Sequence, residues 1–313
     1  MSFFEKIFSG EDIPEETKIE KEEGNELEEK TYAKARRKAD VFLETFHFAD
    51  NNGYIEKNPE KLKNSKSIFF SPGWGIIKAP EKILSTITSQ GRRVVSTTFS
   101  REEILEGEDS DDFSTSEYQK ALEVIEIIKE DLEKNGENKI DAIAHSEGGL
   151  VMAIAANLYP ELFRSIVFVA PAGMIGKDSY VDLIKRFSID EPNEEKTNSK
   201  NLDDEGIKKC VKDFIEYISK NPALAHKEVK AMSEADIFKL TKRLKNKGVG
   251  VGLVCGANDK VFPIEKVLEN VNEGNVDHFI STKGDHGSLL FEPNQEHVLL
   301  AENLLENMNK KRD

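Results

Sequence analysis

From Ser67 onward the chain alternates between two hydrophobic patterns. Short runs that are apolar at consecutive positions predict buried strands at 67–71, 93–99, 140–143, 166–170, 249–255 and 276–281. Between them, apolar residues three or four apart predict helices over 80–90, 114–134, 150–158, 264–271 and 295–310. The helix at 114–134 places Tyr118, Leu122, Ile125, Ile128 and Leu132 on one face, and Ser114 with Glu117 three residues on forms a capping-box pattern. Pro80 suits the first turn of the helix it opens. Strands that are apolar on both faces and alternate with helices predict a mainly parallel sheet covered by helices.

The alternation breaks once. Residues 173–247 contain no convincing strand but several helical stretches, best seen in Ile207, Val211, Phe214, Ile215 and Ile218. This block reads as an insertion over the C-terminal edge of the sheet, where ligands bind in such architectures. The chain before Ser67 is less regular. Residues 41–48 fit either a strand or the end of a helix begun at Tyr32, and Asn51-Asn52-Gly53 is a turn signal. Residues 1–30 hold eleven acids against four lysines, which predicts a solvated arm without fixed structure. Phe3, Phe4, Ile7 and Phe8 form a short apolar face at its start.

Composition narrows the classes of partner. The formal net charge is −15 and the pI is about 5.1, so nucleic acid and anionic membrane surfaces are poor partners. No stretch approaches the roughly 20 apolar residues of a membrane span. The first residues lack a basic segment followed by an apolar one, and a cytoplasmic protein is expected. The two cysteines, Cys210 and Cys255, have neither metal-ligand nor redox spacing and read as reduced thiols.

The chemistry centres on Ala144-His145-Ser146-Glu147-Gly148-Gly149. A short apolar strand precedes it, and a run rich in helix formers follows. A serine on so sharp a strand-to-helix turn needs small residues two positions away on each side, and Ala144 and Gly148 are small. The bland alternative is a serine that only caps the helix. The stretch resembles the nucleophile turn of the α/β-hydrolase superfamily, with Ala144 in place of the first glycine of its usual Gly-x-Ser-x-Gly.

The resemblance implies further residues in a set order: serine, then an acid, then histidine. Of the six histidines, His286 lies in Gly284-Asp285-His286-Gly287, directly after a predicted strand, and is similar to the family's base loop. His47 comes too early. His145, His226, His278 and His297 lie beside the serine, in the helical block, in a strand and in the last helix. The acid is expected just after the preceding strand, where Asp259 stands in Gly256-Ala257-Asn258-Asp259-Lys260-Val261-Phe262-Pro263; Asp285 is the rival. The loop Pro72-Gly73-Trp74-Gly75 is similar to the family's His-Gly-x-Gly loop, with Ser71-Pro72 where a histidine often stands. It implies an oxyanion hole built from the backbone N–H groups of Trp74 (or, less firmly, Gly75) and Glu147.

The expected architecture is therefore an α/β-hydrolase fold. Its core comprises residues 31–172 and 248–313, with a helical cap at 173–247 and the acidic arm at 1–30. The implied function is hydrolysis of a small-molecule carboxylic ester through an acyl-enzyme, by a triad of Ser146, His286 and Asp259, without metal or organic cofactor. Alternatives are a thioester, an amide or a carbon–carbon bond as target of the same triad, or a non-catalytic binding protein with this fold. Dehalogenase and epoxide-hydrolase chemistry is disfavoured, because those relatives carry an aspartate where Ser146 stands.

Overall fold

The computed structural model describes residues 18–45, 53–63, 66–76, 78–98, 116–190, 205–288 and 295–311. The apolar face at Phe3–Phe8 and Ser114 with its capping role lie outside these residues, as does His47.

A seven-stranded sheet runs in the order β1-β3-β2-β4-β5-β6-β7. Its strands are β1 (Gly53–Lys57), β2 (Ile68–Ser71), β3 (Val94–Thr98), β4 (Ile140–His145), β5 (Phe163–Val169), β6 (Gly250–Gly256) and β7 (His278–Thr282). The strands from β2 to β7 are mutually parallel, and β1 closes one edge antiparallel to β3. Every residue of β2, β4 and β6 is buried, as expected of strands covered on both faces.

Helices cover the two faces. α1 (Lys18–Thr45), α3 (Ser116–Asn135) and α4 (Glu147–Leu158) form one layer with a common core. α2 (Glu81–Ser89) and α10 (Glu296–Lys310) form the other. Tyr118, Leu122, Ile125, Ile128 and Leu132 are all buried in the first layer, as the periodicity predicts. α9 (Ile264–Asn270) follows β6.

Two boundaries differ from the sequence reading. The first is at the N-terminal arm, since residues 18–30 are helical and α1 continues through 41–45. Tyr32, Ala35 and Ala39 bury one face of α1, and once that face docks, extension through good helix formers such as Glu and Lys costs little. Glu29 pairs with Arg243 and Lys247, which ties the helix to the body.

The second is the end of the helical block. It contains α5 (Tyr180–Lys185), a π-helical turn (Arg186–Asp190), α6 (Glu205–Lys220), α7 (Pro222–Glu234) and α8 (Ile237–Asn246). α8 buries Ile237, Phe238, Leu240 and Leu244 in the main core, and Arg243 bonds the Asn157 carbonyl of α4. It is the crossover helix that two adjacent parallel strands, β5 and β6, require. The helices of the block that do not cross between adjacent strands are α5 to α7.

Within α6, Phe214 and Ile218 are half-buried while Ile215 is exposed, and the side chains of Ile207 and Val211 are outside the description. No described helix is long and apolar enough to cross a membrane.

Candidate active site

The strand order reverses between β2 and β4: from β2 the chain moves to β3 on one side, and then β4 joins on the other. In open α/β sheets the crevice at the carboxyl ends of the strands beside such a switch point is where ligands bind. The loop after β2, Pro72–Gly75, and the turn after β4, at Ser146, meet there. A Cβ on Gly73 would stand 3.0 Å from Ser146 Cβ.

Ser146 sits at φ 53° and ψ −124°, one of three non-glycine residues with positive φ among those described. Such a conformation costs roughly 1–3 kcal/mol and persists only where the surroundings enforce it. Here the Ser146 N–H bonds Val169 O at 3.1 Å, and Ser146 O accepts from Gly149 at 2.9 Å and from Ala172 at 2.9 Å. The small-residue requirement is visible in space, since a Cβ on Gly148 would overlap the carbonyl oxygens of Ser71 and Pro72. The Ser146 side chain makes no capping bond to α4, which removes the helix-cap alternative.

His286 Nε2 lies 3.0 Å from Ser146 Oγ, and His286 Nδ1 lies 3.0 Å from Asp259 Oδ2. Asp259 Oδ1 accepts from the Phe262 N–H at 2.8 Å, so both carboxylate oxygens have donors. The loops that carry the acid and the histidine are stitched together, because Asn258 N–H bonds Gly284 O at 3.0 Å and Asn258 Nδ2 bonds Lys283 O at 2.7 Å. Asp285 instead accepts from Ser288 Oγ at 2.8 Å within its own turn. The structure thus brings together Ser146, His286 and Asp259, and leaves Asp285 out.

His145 supports this line from beneath. Its Nε2–H donates to the carbonyl of His286 at 3.0 Å. Burial, with His286 beside it, pushes its pKa down to about 3, so it is neutral near pH 7 and fixes the loop without adding charge. Of the other described histidines, His226 pairs with Tyr180, His278 opens β7 and His297 bonds Thr282. Burial pushes the Cys255 thiol up to about 12, so it is no nucleophile at neutral pH.

Two features of the site go beyond the sequence reading, which placed the helical block with Phe214 over the ligand edge of the sheet but none of the contacts it makes. The first is an aromatic roof. Phe187, on the π-helical turn, has its ring 6.2 Å from His286 and 5.4 Å from Trp74. Phe214 lies 5.0 Å from Trp74 and 5.7 Å from Phe187, directly over Gly75. Phe262 closes the other side of His286 at 5.2 Å.

The second feature is a buried ion cluster. Lys120 of α3 bonds Glu147 Oε1 at 2.5 Å and Glu228 Oε1 of α7 at 2.5 Å. Glu228 Oε2 accepts from the Trp74 indole N–H at 2.6 Å and from the Tyr217 hydroxyl at 2.6 Å. Fully buried Glu117 lies nearby; desolvation, with help from Glu147 and Glu228 and against Lys120, pushes its pKa up to about 8, so it is mostly protonated near neutrality. Both Glu117 and Lys120 are buried, and the partners of Lys120 come from α4 and α7.

Glu147 opens α4, so its N–H stands outside the helical ladder by position, and Trp74 follows Gly73 on the loop facing it. Among the described residues, no cluster of three or more His, Cys, Asp or Glu has the arrangement to hold a metal ion.

No protein-family model matches the chain, and no curated protein matches it in sequence. Solved structures do match it. A thermophilic esterase from Thermogutta terrifontis aligns at a TM-score of 0.58 and 13% identity, over 82% of this chain and 94% of that one. A lipase-esterase related protein from Clostridium acetobutylicum ATCC 824 aligns at 0.56 and 16% identity, over 82% and 99%. MGS-M2, an α/β-hydrolase enzyme from a Medee basin deep-sea metagenome library, aligns at 0.50 and 14% identity, over 82% and 94%. With its helix-flanked parallel sheet and a strained serine at the end of the central strand, the chain has the α/β-hydrolase fold.

Proposed function

We propose that the protein is a serine hydrolase that cleaves carboxylic esters through an acyl-enzyme. The observation that carries this reading is the buried line from Ser146 Oγ through His286 to Asp259, with 3.0 Å at each contact. Ser146 Oγ attacks the ester carbonyl while His286 Nε2 takes its proton. Asp259 accepts from Nδ1–H, holds the tautomer and stabilises the imidazolium that forms. The N–H groups of Trp74 and Glu147 receive the oxyanion. His286 then returns the proton to the leaving alkoxide, and water repeats the sequence to release the acid.

Two of the similar structures are described as an esterase and a lipase-esterase related protein, which agrees with an ester substrate. The roof of Trp74, Phe187 and Phe214 supports a small apolar acyl group over a charged one. A fluorophosphonate probe tests the reading. Labelling mapped to Ser146, with turnover of p-nitrophenyl esters exceeding that of acyl thioesters and anilides, is the expected result. A thioester or anilide turned over faster keeps the triad and changes the substrate. An unlabelled Ser146 in folded protein leaves the binding-protein alternative.

A further inference from the structure

We propose that Glu228 in the cap is a positioning residue that holds both sides of the oxyanion hole. This rests on the reading of Trp74 and Glu147 as the hole's donors. Those residues come from different elements, the loop after β2 and the start of α4. Nothing in the covalent chain sets their separation. One fully buried carboxylate reaches both: its Oε2 takes the Trp74 indole N–H at 2.6 Å, and its Oε1 takes Lys120, which in turn holds Glu147 Oε1, each at 2.5 Å.

The Trp74 side chain is itself built into the cap. It packs against the cluster of Tyr217, Leu224 and Ala225, and its ring meets Phe214 edge-on. Its backbone, however, belongs to the loop beside Ser146. Cap docking and oxyanion-loop geometry are therefore coupled through the Trp74 side chain, with Phe214 over Gly75 as a second contact. A charge-assisted bond in a water-free site is both strong and directional, and a displacement of about 1 Å at a catalytic group can cost roughly a hundredfold in rate.

Glu228→Gln keeps the size of the side chain but presents one carbonyl oxygen where the carboxylate presented two. One of its two sets of donors then loses its acceptor. The full chain, wild type and variant, is assayed for p-nitrophenyl butyrate turnover and for the rate of fluorophosphonate labelling. We expect kcat and the labelling rate to fall roughly tenfold to a hundredfold, within the loss seen for a whole oxyanion donor, with KM within about twofold. Trp74 is the only tryptophan, so its emission spectrum reports the lost indole bond in the same samples.

Trp74→Phe keeps an aromatic ring but removes the pyrrole part of the indole with its N–H. It should lower kcat in the same way, and the double variant should cost less than the product of the two single losses. Should Glu228→Gln fail to fold, Trp74→Phe alone carries the test. If wild type labels at Ser146 and both variants match its kcat, the positioning role is overturned and the hydrolase reading stands. If folded wild type neither labels nor turns over ester, the hydrolase reading fails and this inference fails with it.

Discussion

The two ends of the sheet both carry buried ion clusters, but they are built differently. At the N-terminal end, Arg92 pairs with Asp141, which also meets Arg164 at 3.1 Å and accepts from Asn309 at 2.9 Å. Beside it, Arg93 pairs with Asp131 and with Glu137 at 3.0 Å. Arg93 also meets Glu56 at 4.0 Å, and Glu56 pairs with Lys134 at 2.6 Å, so four cations face four carboxylates, all from the sheet, its loops and its flanking helices. At the C-terminal end, one ammonium, Lys120, serves Glu147 and Glu228, with Glu117 held neutral nearby, and one partner comes from the cap. The first arrangement matches charge among elements of the sheet and its flanking helices. The second leaves carboxylates in excess over Lys120 and joins α3, α4 and α7 beside Ser146. Burial alone therefore does not say what an ion pair is for; where its partners come from does.

Substitutions at the two ends should separate activity from stability. The largest effect is expected at Ser146 and His286. Ser146→Ala or His286→Ala should remove turnover by roughly a million-fold, with no lowering of the melting temperature for Ser146→Ala, because the two residues act as a unit. Asp259→Asn should cost roughly ten-thousandfold by holding His286 in the wrong tautomer, while Asp285→Asn stays near wild type. The reverse ranking of the two aspartates in ester kinetics would discard Asp259 as the acid.

Asp141→Asn is the mirror experiment at the other end. It leaves Arg92 buried without its charge partner and should lower unfolding free energy by roughly 3–5 kcal/mol, measured by denaturant titration. The kcat of the protein that remains folded should be unchanged. A loss of kcat there would erase the distinction between the two ends.

Smaller effects sharpen the picture. Phe214→Ala opens the roof above Gly75 and should shift preference toward longer acyl chains by roughly tenfold in kcat/KM across an ester series. Ile218→Ala, packed within the cap, should lower thermal stability and leave chain-length preference alone.

The smallest change is read in pH dependence. Glu302 is buried with no hydrogen-bond partner among the described residues, and desolvation pushes its pKa up to about 8. The unfolded chain releases this proton at ordinary carboxylate pH while the folded chain retains it. Stability from this group therefore falls as pH rises from about 4.5 to about 8. Glu302→Gln removes that dependence. Its melting temperature should match wild type near about pH 4 and exceed it above about pH 8. Equal melting temperatures at alkaline pH would show that Glu302 ionises freely.

The sequence by itself marked the parallel strands from Ser67 onward, though not the antiparallel edge strand β1, and the order of Ser146, Asp259 and His286 along the chain. Strands apolar on both faces announce a covered parallel sheet. Ala144 and Gly148 flank a serine where a Cβ on Gly148 would strike the next loop, and Asp259 and His286 each follow a strand in order. These are short-range requirements, met by residues a few positions apart, so they leave local marks. The order of loops along the chain then fixes which of them share a sheet edge.

Tertiary structure alone decided the rest. Lys120 lies 27 residues from Glu147 and 108 from Glu228, and Trp74 lies 154 from Glu228, with no local pattern that foretells their meeting. The π-helical turn that brings Phe187 to His286, the docking of α1 through Tyr32, Ala35 and Ala39, and the place of α8 in the core share that character. Each depends on which faces are buried against distant elements, and burial can reverse the meaning of a charged helix position. Glu117 reads in the sequence only as a capping-box partner and Lys120 carries no local signal, yet both are buried, and Lys120 meets α4 and α7.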